Sequence, residues 1–67
     1  MRLYDFLGKR ISVTFTDGDV LEGYVNGFTG KADTENELYD ELTIETDRYP
    51  YVGFNESEVK EIKIIDD

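Results

Sequence analysis

Seven carboxylates, Asp33, Glu35, Glu37, Asp40, Glu41, Glu45 and Asp47, fall within residues 32–47 with no base among them. Such a run could hold a divalent cation or dock a basic partner. Calcium takes about six to eight oxygens from a loop that turns tightly, usually on a glycine at a fixed offset. Residues 33–38 alternate oxygens but put Leu38 where an EF-hand loop carries glycine. The expectation is a solvated acidic loop, with no metal and no cofactor. Leu38 and Tyr39 interrupt it, and a long loop usually anchors itself by tucking such residues inward. If exposed, they would be the apolar centre of a partner site ringed by carboxylates.

Catalysis finds no footing. The chain has no cysteine and no histidine, so thiol nucleophiles and imidazole bases are absent. Ser12 and Ser57 have no activating partner legible in the sequence. Carboxylate pairs abound, but a glycosidase needs a substrate cleft that so small a domain hardly offers. Residues 27–31, Gly-Phe-Thr-Gly-Lys, lack phosphate-loop spacing. The expected class is non-enzymatic, with no small-molecule substrate.

Aromatic and basic residues bear on binding. Tyr24, Tyr49 and Tyr51, with Phe54, could stack on bases or on peptide prolines, although packing of the domain and its edges is the simpler expectation. Base stacking normally sits in a basic groove, and the bases near these rings are Arg48, Lys60 and Lys63. Lys9 and Arg10 form a basic doublet that could meet a phosphate, although contact with helix C-terminal carbonyls or nearby acids is the simpler expectation. Lys9, Arg10, Lys60 and Lys63 are thus the RNA candidates, and Leu38, Tyr39, Tyr49 and Tyr51 the candidate surface for a protein partner.

These residues are positioned by short elements. Leu3, Phe6 and Leu7 share one face of a short helix over residues 2–7, with Gly8 as its cap. Residues 11–16 alternate without fault and predict a strand with Ile11, Val13 and Phe15 inward. Asp17-Gly18 is a hairpin signal. In the second strand, 20–28, one face carries Leu21, Gly23, Val25 and Gly27 and the other Val20, Glu22, Tyr24, Asn26 and Phe28. Alternate glycines there point to a strongly bent strand. A loop over 29–41 follows, then a strand over 42–47 with Leu42 and Ile44 inward. The fourth strand is expected over 49–54, with Pro50 at its start or on an edge. Asn55 and Glu58 have the spacing of a capping box for one helical turn. A fifth strand over 60–65 puts Ile62 and Ile64 on one face.

Sixty-seven residues make one small domain, spanning 1–67. A chain of this size buries only about 60% of its unfolded surface. With neither disulfide nor zinc to staple it, it needs an efficient core or a partner subunit. Five short strands in so few residues predict a mostly β fold, a strongly bent antiparallel small barrel with a short N-terminal helix. Net charge is −9, and residues 1–31 contribute nothing to it, because four acids there balance four bases. No apolar run approaches the roughly 20 residues of a membrane span. The N-terminus lacks a signal-peptide apolar core, so the expected location is cytoplasmic.

The succession of helix, residues 9–13, the Asp17-Gly18 turn and a glycine-bearing strand ending in Gly27-Phe28 resembles the Sm-like domain, within the SH3-like small barrels. That resemblance implies a five-stranded barrel and a ring assembled by pairing the fourth and fifth strands of neighbouring subunits. It also implies an RNA-binding pore lined by an Asp and an Asn after the second strand and an Arg-Gly pair late in the chain. Thr29 stands where the Asp belongs, no Asn follows at the usual spacing, and Asn36 lies in the acidic loop. The late turn, Asn55-Glu56-Ser57-Glu58, has neither arginine nor glycine. The RNA-reading residues therefore do not carry over. The expected function is an interaction or oligomerisation module with a protein partner or self-association, RNA binding being the disfavoured alternative.

Overall fold

Alternation of β-branched and aromatic residues at Ile11, Val13 and Phe15 with Ser12 and Thr14 produces the first strand, β1, Arg10–Phe15. Burial follows the alternation, since Ile11 and Val13 are fully buried. The fold is described from a computed structural model over residues 2–34 and 38–66. Four further strands follow: β2 (Val20–Thr29), β3 (Glu41–Glu45), β4 (Val52–Asn55) and β5 (Val59–Asp66). They form one antiparallel sheet in the order β4-β3-β2-β1-β5. The fold is mostly β, as expected. β4 and β5 are the two edges of this sheet, and no ladder joins them.

The expected N-terminal helix is a single 3-10 turn, Leu3–Phe6, shorter than the 2–7 span. It turns the fully buried Leu3 into the core, and Gly8 follows with φ +83°. The β1–β2 hairpin forms on the Asp17-Gly18 signal. Phe15 N–H donates to the Asp19 carbonyl at 2.8 Å, which leaves a three-residue loop. Gly18 closes that loop at φ +96°, the left-handed position such loops give to glycine. Asp17 Oδ1 accepts the Asp19 N–H at 3.0 Å.

The alternation expected along β2 fails after Val25. The register passes from Val25 opposite Ile44 to Gly27 opposite Thr43, so Asn26 is an extra, bulged residue. The bulge reverses the face of every residue beyond it. Phe28, expected on the face of Glu22 and Tyr24, instead shares the face of Val25 and packs against the core, and Tyr4 meets its ring edge-on at 5.2 Å. Of the two glycines read as bend sites, Gly23 is the one without room. A Cβ there would lie 2.5 Å from the Glu45 carbonyl oxygen, whereas at Gly27 it would make ordinary contact with Thr43.

The remaining elements shift by a few residues. β3 buries Leu42 and Ile44 as expected but ends at Glu45. β4 begins at Val52, so Tyr49, Pro50 and Tyr51 lie outside it. Asn55 and Glu58 form the expected capping box over the 3-10 turn Glu56–Glu58. Asn55 Oδ1 accepts the Ser57 N–H at 2.9 Å, and Glu58 Oε1 accepts the Asn55 N–H at 3.0 Å. The core is Leu3, Ile11, Val13, Val25, Leu42, Ile44 and Phe54, one cluster fed by every strand except β5, whose Val59 and Ile62 pack against it.

Candidate interaction surface

The four residues expected to meet a partner are all exposed, and they bracket β4. Tyr51 precedes Val52 at one end of the strand and is 68% exposed, with Tyr49 nearby at 48%. At the other end, the Glu56 N–H donates to the Asp40 carbonyl at 3.2 Å, which holds the segment after Tyr39 beside the close of β4. Asp40 also accepts the Lys31 N–H through Oδ1 at 2.8 Å, closing the loop that follows β2 across nine residues. Leu38 and Tyr39 do not tuck inward: both are exposed, at 67% and 37%. Four strand residues span about 13 Å, so the pairs stand as two exposed groups at opposite ends of the β3–β4 hairpin.

The second free edge, β5, carries two exposed isoleucines. Ile64 lies opposite the buried Ile11, on the face it shares with Ile62 as expected, yet at the edge of the sheet it is 46% exposed. Ile65 is an extra residue in the ladder, since Arg10 faces Asp66 while Ile11 faces Ile64. It too is exposed. Position on an edge was the missing information, and alternation does not report it.

The aromatic set divides. Phe54 is buried in the core, Tyr24 stands on the outer face between Arg10 and Glu45, and Tyr49 and Tyr51 lie before β4. They form no single strip. The basic candidates divide as well. Lys63 pairs with Ser12, two residues along from Arg10, which makes Arg10 and Lys63 diagonal neighbours on the outer face. Lys60 is bulged beside Thr14 and Phe15, at the far end of β1 from Lys9. That separation is about 17 Å along a strand of this length.

Among the described residues, no three carboxylates converge as a metal ion would require. Glu35, Asn36 and Glu37 lie outside the described residues. Ser57, weighed as a nucleophile, spends its hydroxyl on Asn55 Oδ1 within the cap. Among the described residues no helix is long and apolar enough to cross a membrane. Comparison with family models, with curated proteins and with solved structures returns no significant match.

Proposed function

We propose that the chain is a divergent Sm-like small barrel, acting in the cytoplasm without catalysis as a self-association and protein-interaction module. The observation that carries this reading is the pair of open edges, each flanked by exposed apolar side chains: Tyr49, Tyr51, Leu38 and Tyr39 about β4, Ile64 and Ile65 on β5. An unpaired strand edge is a template for another strand, and stable monomers usually blunt it. Opposite edges on one molecule join head to tail, which closes rings when the rotation permits. The link of three residues between β4 and β5 supports the barrel, because strands so tied can lie at opposite sheet edges only if the sheet curls.

Sedimentation of the chain and of Ile65→Lys tests the reading. The unaltered chain is expected to run as an oligomer at micromolar concentration and Ile65→Lys as a monomer. A monomer for both overturns it. Against an RNA-binding alternative stand the dispersed bases and the missing pore residues. Tight, salt-sensitive binding of a generic RNA oligomer would reverse that preference.

A further inference from the structure

Away from the β5 edge, and sharing Tyr49 with the surroundings of β4, the start of β2 and the turn after β3 enclose a groove of about 270 Å³ lined by Val20, Leu21, Glu22, Thr46, Asp47, Arg48 and Tyr49. One wall is a tied turn. The Thr46 N–H donates to the Tyr49 carbonyl at 3.1 Å, while Thr46 Oγ1 accepts the N–H groups of Tyr49 and Arg48 at 3.0 and 3.3 Å. The Arg48 guanidinium carbon lies 5.8 Å from the centre of the Tyr49 ring. The opposite wall belongs to the β2 strand, pressed close to β3 where Gly23 leaves no room for a side chain. The groove therefore has little backbone to reorganise on binding, which lowers the cost of occupying it.

Its chemistry selects an occupant. Val20 and Tyr49 stand about half exposed and provide apolar walls. Glu22 and Asp47 provide two carboxylates against the single cation of Arg48. The volume lies below the usual range of about 300–1,000 Å³ for small-molecule sites. It has room for one large side chain or two small ones rather than a cofactor. We propose that this groove takes a short cationic peptide segment of a partner protein. One apolar side chain would seat between Val20 and Tyr49, and a neighbouring Lys or Arg would meet Glu22 and Asp47. Complementary charge gives such a site selectivity and a fast on-rate. The proposal rests on the reading of the chain as an interaction module, but it uses a surface distinct from the β5 edge.

The probe is the peptide Gly-Lys-Phe-Arg-Gly, titrated into the labelled chain while amide shifts are followed. Shifts confined to residues 20–22 and 46–49 are expected. Two control peptides, one with Gly for Phe and one with Glu for both cations, should each bind at least five-fold more weakly. Glu22→Lys and Tyr49→Ala, both at exposed positions, should weaken the probe by a similar factor. No shift at millimolar peptide overturns the proposal. So do shifts spread along residues 38–45 that ignore the loss of Phe, because those report only attraction to an acidic chain. The titration is repeated on Ile65→Lys. Binding retained there supports the groove whatever the oligomeric state, and binding lost there overturns it, so its failure and that of edge association are read separately.

Discussion

The ring of Phe15 on β1 meets the ring of Phe54 on β4 edge to face at 5.3 Å and 89°, although β2 and β3 lie between those strands in the sheet. A flat sheet would hold strands three places apart at roughly 14 Å. The contact therefore measures how far the sheet has curled. It also explains how a three-residue turn can link Asn55 to Val59 across the two edges.

That contact is expected to carry coupling energy. In a double-mutant cycle of Phe15→Leu and Phe54→Leu, followed by urea unfolding, the interaction should measure about 0.5–1.5 kcal/mol. Additive losses would mean that the rings are neighbours without mutual support, and that the curl is held by the backbone alone.

Gly23 and Gly53 form a matched pair for a second test. A Cβ at Gly23 would collide with the Glu45 carbonyl oxygen, and a Cβ at Gly53 meets nothing within 4 Å. Backbone cannot step aside as a flexible side chain can. Gly23→Ala should cost about 1–3 kcal/mol in chemical unfolding. Gly53→Ala should be neutral or gain about 0.4–1 kcal/mol through the unfolded state. Equal effects at the two positions would show that β2 and β3 are not pressed together at Glu45.

The contrast between these glycines marks what the sequence could and could not tell. Strands whose pattern is set by their own neighbours, such as Ile11-Ser12-Val13 and Leu42-Thr43-Ile44, were legible, because alternation is a local property that burial enforces. The Asn55–Glu58 cap was legible for the same reason. Asn26 was not. Its bulge is imposed by the bend of β2 over the core, and nothing in Tyr-Val-Asn-Gly-Phe announces which residue will be expelled. Phe28 was misplaced in consequence. Tyr49 and Tyr51, for which packing was the simpler expectation, are exposed, and Ile64 shares a face with Ile62 as its spacing indicates but lies uncovered at the edge of the sheet. The groove beside Tyr49 was invisible, since it needs a strand start and a turn brought together from positions about 25 residues apart along a chain folded by long-range pairing.

The cap itself yields a third expectation. Asn55 accepts the Ser57 N–H and Glu58 accepts the Asn55 N–H at the point where the chain leaves β4 for β5. Asn55→Ala should cost about 1 kcal/mol, and Asn55→Asp, which keeps the accepting oxygen, distinctly less. Differential scanning calorimetry of the two variants decides it. Equal losses would locate the effect in packing at the end of β4 rather than in the cap.

Asp40 supports the candidate partner surface without belonging to it. Its carboxylate accepts the Lys31 N–H and its carbonyl accepts the Glu56 N–H, so one residue ties the loop after β2 to the end of β4. Asp40→Ala removes the first of these bonds and leaves the second, which is made by the backbone. The expected result is faster amide exchange at Lys31, with Glu56 little changed, and a stability loss of about 1 kcal/mol. Asp40→Asn keeps Oδ1 as an acceptor and should restore most of the protection. If Glu56 exchanges faster as well, the carbonyl bond depends on the side-chain bond, and the two ends of the tie act as one unit. In that case Leu38 and Tyr39 lose their fixed place beside β4, and Asp40→Ala should also weaken self-association in sedimentation. Unchanged exchange at Lys31 in Asp40→Ala would remove the tie as the explanation for where this loop sits.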